Sequence, residues 1–560
     1  MCNIDTHWNT EEGILNLVKR LVETPSISGS VQENDMADLI VKITKEIPYF
    51  QKNEELVYKQ AIQNDSLNRH SVAALYRGNR KSRKTVVLLS HYDVVGVEDY
   101  GYLKPYAFNP DEYTALLHAE PLPEDVKEDL ESGDWLFGRG IMDMKAGLAL
   151  QLALLSEIAG DEEFEGNILL LATPDEERNS EGMFEGIRLL SQLKEQYGLE
   201  YEVCICSEPS FAGYPGDRTK YVYLGSVGKL LPLIYCNGRE THVGEPLEGV
   251  NASWMAASMA NKLELSSCFR DKVGEERNPR PTCLKLADLK DVYNVQTPTD
   301  AYLLYNILTL QQSPQDVLEK LIGLANESAA DIFGRTVQAY LEDGLEFTDE
   351  TVSHLKPEVY TYSELYTLGS DRHGEDFTGA MEKLVNKQTS EELDYRQLSV
   401  EIARGISSFF QDLAPFYLVM FAPPYYPHVH LDRERPEEEK LYEMAEEIKN
   451  YAKYTFGEEI QLKTFFEGLS DVSYCRLLDA EEVIPSLEKE MPLYGKGYNI
   501  PLDLIQDLNI PTINIGPYGK DAHKRTERLE LPFSLTAAPA LLKYAVLSVL
   551  KGGVLHGEQA

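Results

Sequence analysis

The loop Gly138 to Gly147 (GRGIMDMKAG), with the run AGLALQLALLSEIA that begins inside it at Ala146, constrains this chain more than any other segment. The run reads as a buried helix rich in alanine and leucine. Gly138 and Gly140 hinge the loop, Gly160 closes the helix over 145–159, and a single carboxylate, Asp143, stands between hinge and helix. Helix dipole and free amides favour its ionised form, which suits an N-cap or a metal ligand. The segment alone does not choose between them.

The surrounding sequence alternates helix and strand as an α/β sheet requires. Helical spacing predicts helices over 11–24, 33–46 and 181–197; apolar runs predict strands over 71–77, 85–90, 167–172, 201–206 and 511–515. An acidic amphipathic helix is predicted over 434–456 and a terminal helix over 535–550. The turn-rich, acidic stretch 96–135 reads as a surface excursion.

A length of 560 residues exceeds one ordinary core, and 43% hydrophobic residues can fill several. From about 218 the character changes to hairpin strands, long helical patterns (314–343 and about 390–413) and a closing strand, FYLVMFAPPYYP. Three segments are therefore expected: 1–217 and 428–560 as two parts of one domain, and 218–427 as an inserted α+β domain. A net charge of −39 repels phosphate backbones and anionic lipid, which excludes nucleic acid and membrane partners. No run approaches a membrane span and the start lacks a signal pattern, so the expected location is the cytoplasm. Seven scattered cysteines form no disulfide framework; Cys204 and Cys206, alternating in a strand, read as buried packing.

Polar residues recur where the apolar strands end: His91 and Asp93 after TVVLLS, Glu176 and Glu177 after NILLLATPD, Glu208 after VCICS, and His523 beyond the glycine loop of the last strand. Open α/β sheets place ligand sites there. With Asp143, the set His91, Asp143, Glu177, Glu208 and His523 supplies two imidazoles and three carboxylates. Two divalent ions about 3.5–4 Å apart, sharing one carboxylate, need this kind of inventory.

The ordered segments SHYDVV, GRGIMDMKAG, TPDEERNSEG, SEPS, GKLLPLIYCNGRETHVGEPLEGVNAS and GPYGKDAHKRTERLE resemble the co-catalytic zinc peptidases and deacylases, which include glutamate carboxypeptidase, aminoacylase and succinyl-diaminopimelate desuccinylase. Length and texture resemble most the longer bacterial arginine-utilisation proteins of the arginase (Roc) pathway. The resemblance implies a catalytic domain with a mixed sheet flanked by helices, plus an enlarged lid. It implies two metal ions, zinc with manganese or cobalt as alternatives, one held by His91 and Glu208 and the other by Glu177 and His523, with Asp143 bridging. Asp93 would orient the His91 imidazole, and Glu176 would be the general base for hydrolysis of an amide.

It further implies that His242, in the pattern Thr-His-Val-Gly, binds the substrate carbonyl or carboxylate from the lid, and that Asn251 lies near the substrate. Ser470 and Asp471 match a family loop beside the active site. Glu527, four residues after His523, would share its helical face and support it. His428 and His430 form a His-x-His pair whose ordinary reading is the return from the lid.

The chain departs from the family at Leu304 to Leu308, where a lid arginine is expected, and Arg239, Arg270 and Arg280 are the available substitutes. The lid exceeds the usual size by about a hundred residues, which predicts a monomer with His242 acting in its own chain, against a homodimer through the lid. The leading expectation is a small-molecule amide or peptide hydrolase; the alternatives are a non-catalytic metal-stabilised binding protein and a di-zinc aminopeptidase.

Overall fold

The structure is a computed structural model that describes residues 8–551 except 79–81, 162, 213–215, 346–347, 349–351 and 387–393. The chain divides into two compact units.

The first unit comprises Met1–Ser226, Val429–Leu477 and Asp503–Ala560. Its eight-stranded sheet runs Val57–Ala61, His70–Arg77, Asn167–Thr173, Lys84–His91, Glu200–Cys206, Thr512–Asn514, Lys220–Tyr223 and Ile460–Lys463. The four strands from Asn167–Thr173 to Thr512–Asn514 are mutually parallel, while the first two pair antiparallel, so the sheet is mixed. Burial of whole strands on both faces explains their unbroken apolar sequences. In register, His91 lies beside Thr173, and Leu89 and Asn514 both lie beside Cys206, so the four parallel strands end close to one line. The loops leaving that line carry Asp93, Glu176, Glu177 and Glu208.

The helix Ala146–Ala159 is buried along most of its length. Gly147 lets it approach, because a Cβ there would lie 2.1 Å from the Ser207 carbonyl oxygen. Gln151, the one amide in this apolar helix, is buried and ties two strands together: it accepts from Ser90 Oγ (2.8 Å) and donates to the Leu89 carbonyl (2.8 Å) and Ser207 Oγ (3.0 Å). The residues that follow Ser90 and Ser207 are His91 and Glu208. Phe533–Lys551 is long and apolar enough to cross a membrane, but most of it is buried in this unit.

The predicted surface excursion is a folded substructure, a correction to the sequence reading. Helical segments Glu98–Tyr106, Pro110–Leu117 and Glu124–Ser132 enclose Tyr100, Leu103, Tyr113, Leu117, Val126 and Leu130 in their own apolar cluster.

The second unit comprises Val227–His428 and Leu478–Leu502. Its five-stranded sheet runs Thr282–Asp288, Asp300–Thr309, Gly228–Asn237, Phe416–Tyr426 and Glu358–Thr361, antiparallel except for the last pair. Helices Ala252–Leu263, Pro314–Glu342, Tyr362–Val385 and Tyr395–Ser407 accompany it. The sequence reading runs the first domain unbroken from 428 to 560, whereas 478–502 falls in the second unit. There Glu490, at the end of the helix Ala480–Glu490, accepts from Ser363 Oγ at 2.6 Å.

Candidate metal centre

His91, at the end of a central strand, is almost wholly buried. Its Nε2 lies 3.2 Å from Asp143 Oδ1, 3.7 Å from Glu208 Oε1 and 4.0 Å from Glu176 Oε2. His523 Nε2 lies 3.2 Å from Asp143 Oδ2 and 3.0 Å from Glu177 Oε1. Asp143 therefore stands between the imidazoles and gives one oxygen to each. All five predicted ligands and Glu176 meet at the parallel strand ends of one unit.

Local backbone explains the placement. Gly140, at φ 74°, takes a left-handed turn that most residues resist, and Asp143 follows in a non-helical conformation before the helix starts. It is thus no N-cap: its amide and that of Met142 donate to Glu527 Oε1 (3.4 and 3.2 Å). Glu527 also pairs with buried Arg139 at 3.0 Å. The expectation that Glu527 shares a helical face with His523 is overturned. Residues 521–527 form turns, with Asp521 and His523 in the left-handed region, and Glu527 supports Asp143 instead.

Asp93 also does something different from the expectation. The His91 Nδ1 hydrogen bond goes to the Asp93 backbone carbonyl at 3.0 Å, with the carboxylate at 3.6 Å. The Asp93 carboxylate accepts the backbone N–H groups of Glu176 (3.1 Å) and Glu177 (3.2 Å), and so fixes the loop that carries both. Asp175, at φ 69°, completes that clamp: its amide donates to Glu33 at 3.0 Å and its carboxylate pairs with buried Arg69. Sequence reasoning missed Gln151, Glu33, Arg69 and Arg139. Only Gln151, a lone amide in an apolar helix, carried a visible signal.

Ser470 and Asp471, which the resemblance sets beside the active site, are buried. Ser470 Oγ donates to Glu208 Oε1 (3.3 Å), and Thr173 Oγ1 donates to Asp471 (2.7 Å). In the second unit, His242 is exposed and its Nδ1 accepts the Gly244 N–H at 3.1 Å, which leaves the proton on Nε2. Asn251 caps the helix Ala252–Leu263 by accepting from Ser253 and Trp254 amides. His428 is buried beside Thr309 in the second unit, whereas the His430 ring sits beside Phe465 in the first. Cys204 and Cys206 are buried and free.

The electrostatics describe a site short of positive charge. Burial pushes Glu208 up to about 8, against the opposing pull of His91. Burial likewise raises Glu176 and Glu177. Asp143 goes the other way: hydrogen bonds from His523 and His91 outweigh its burial and hold it below the usual carboxylate range. The Asp143 and Glu177 hydrogen bonds raise His523 to about 11. Four carboxylates crowd two imidazoles, and atoms of His91, Asp143 and Glu177 lie within 4.8 Å of one another. This donor set fits a pair of divalent cations, which would replace the protons the cluster otherwise keeps.

An α/β sheet with such a cluster at its strand ends belongs to a hydrolase of the metallopeptidase and amidohydrolase class. More narrowly, the chain belongs to Peptidase family M20/M25/M40, whose family model matches residues 87–474. It is 38% identical over 556 residues to YqjN of Bacillus subtilis (strain 168), covering 99% of each chain. Identity to RocB of the same organism is 32% over 548 residues, 98% of this chain and 96% of RocB. A solved tripeptidase from Staphylococcus aureus has a similar fold, with a TM-score of 0.51 at 13% identity over 97% of this chain and 99% of that one.

Proposed function

We propose that this chain is a two-metal amidohydrolase that cleaves a peptide or N-acyl amide bond in a small amino-acid derivative. The observation that carries the reading is Asp143, with one oxygen 3.2 Å from each imidazole. His91 and Glu208 would hold one ion, His523 and Glu177 the other, and Asp143 both. When bound, such ions polarise the amide carbonyl and acidify the attacking water.

The protein supplies the proton transfer. Glu176 accepts a proton from the attacking water and returns it to the leaving nitrogen, so that amide and water become a carboxylic acid and an amine, whose proton exchange leaves a carboxylate and an ammonium. Asp93 holds the Glu176 amide and thereby the angle from which the base approaches. In the second unit, His242 offers an Nε2–H donor suited to the oxyanion that forms on the carbonyl oxygen. Zinc is the proposed metal. The resemblance to arginine-utilisation proteins supports a derivative of a basic amino acid as substrate and a role in arginine catabolism.

A panel of N-acyl amino acids and di- and tripeptides tests the reading. Release of amine by the native chain and none by Glu176→Gln is expected. Equal silence of both across the panel, with metal bound, would favour a binding protein on the same fold.

A further inference from the structure

The two poles of the cluster are built differently. The His91 side chain is 1% exposed on a central strand, whereas that of His523 is 49% exposed on a turn outside the sheet. The turn closes the hairpin between Gly519–Lys520 and Arg528–Glu530, which pairs with Trp135–Phe137 in a small three-stranded sheet. Beyond the hairpin, side chains of the folded 98–132 segment grip the turn itself.

Tyr113 Oη donates to the Arg525 carbonyl at 2.6 Å. The Arg525 guanidinium in turn reaches Glu120 (3.5 Å) and the Pro121 carbonyl (3.4 Å). Asp129 holds the far side of the turn, accepting from Arg528 Nε and Lys520 Nζ, each at 2.8 Å. The apolar cluster of 98–132 also takes in Phe137 of the neighbouring strand, so these contacts come from a packed substructure.

We propose that the 98–132 segment is a brace that sets the affinity of the metal position formed by His523 and Glu177, leaving the His91 and Glu208 position unaffected. This rests on the two-metal reading above. Tyr113, Glu120 and Arg525 are positioning residues: they touch neither ion, but fix the turn from which one imidazole reaches it. Partners of this kind commonly alter metal affinity by about 10–100-fold when removed.

The test is calorimetric titration of zinc into the metal-stripped full chain. Native protein should show a tighter and a weaker event, and His523→Ala should abolish the weaker one. In Tyr113→Phe/Glu120→Gln the weaker event should weaken about tenfold and the tighter one change less than about twofold. If the double variant does not fold, Tyr113→Phe alone, which loses one oxygen, takes its place with the same split expected. Equal weakening of both events, or no change in either, overturns the brace alone. A native chain that takes up no zinc overturns the two-metal reading and the brace with it.

Discussion

Glu176 and Glu177 are neighbours in sequence yet face opposite poles of the cluster: Glu176 Oε2 lies 4.0 Å from His91 Nε2, and Glu177 Oε1 lies 3.0 Å from His523 Nε2. Both sit in the turn at 176–179, closed by Arg178 and Asn179 amides donating to the Asp175 carbonyl, and their side chains diverge from it, so one can coordinate while the other moves protons. The two substitutions should therefore separate. Glu176→Gln is expected to keep its metal and lose turnover by about 10²–10⁴-fold. Glu177→Gln is expected to weaken metal binding by at least about tenfold. Metal loss in Glu176→Gln equal to that in Glu177→Gln would mean that the roles are shared.

Asp93 joins the two poles through the backbone, since its carboxylate holds both amides of the Glu176–Glu177 pair. Asp93→Ala leaves these buried donors unpaired. It should cost about 1–3 kcal/mol in denaturant unfolding and lower metal affinity about 10–100-fold. Unfolding and zinc titration measure the two effects separately, and a loss of stability with unaltered zinc affinity would confine Asp93 to folding.

The pKa shifts give the metal-free protein a distinctive pH dependence. His523, raised from 6.5 to about 11, stabilises the fold fully below 6.5, and this is lost as pH rises toward 11. Glu208, raised from 4.5 to about 8, costs stability progressively as pH rises between those values. Glu208 therefore lowers the metal-free Tm from about pH 5 upward, and His523 adds to the fall above 6.5. Zinc should reverse the trend by displacing protons, so the Tm gain from zinc should grow with pH and the binding heat should depend on buffer ionisation. A zinc-induced gain that shrinks from pH 6 to pH 8 would contradict this.

Two glycines separate close packing from helix propensity. Gly147→Ala would drive a Cβ to 2.1 Å from the Ser207 carbonyl, next to Glu208, and is expected to cost about 1–3 kcal/mol. Gly323, inside the helix Pro314–Glu342, meets nothing within 4 Å, and Gly323→Ala should stabilise by about 0.4–1 kcal/mol. Urea unfolding of both variants checks the pair; a neutral Gly147→Ala would show that the helix can retreat from the strand end.

Much of the site was legible because His91, Glu177 and Glu208 each follow an apolar run that reads as a buried strand, as in TVVLLSH and VCICSE. What escaped depends on distant partners. The apolar residues of 98–132 are spread among acids, so no window shows the cluster they form. The i, i+4 spacing of His523 and Glu527 suggested a shared helix face, but left-handed residues in the turn send Glu527 to Asp143 instead. Ser470 and Asp471 read as a loop beside the active site, and only the folded chain shows that they bond to Glu208 and Thr173. The helix Tyr362–Val385 escaped because Gly369, Gly374 and Gly379 dilute its pattern, and Gly374 breaks its helical geometry.

The most direct test of the central claim is metal content per chain in purified native protein, set beside Glu176→Gln and His91→Ala. The two-metal reading predicts close to two ions in native and Glu176→Gln, and fewer in His91→Ala. No bound metal in the native chain, even after zinc is offered, would contradict it.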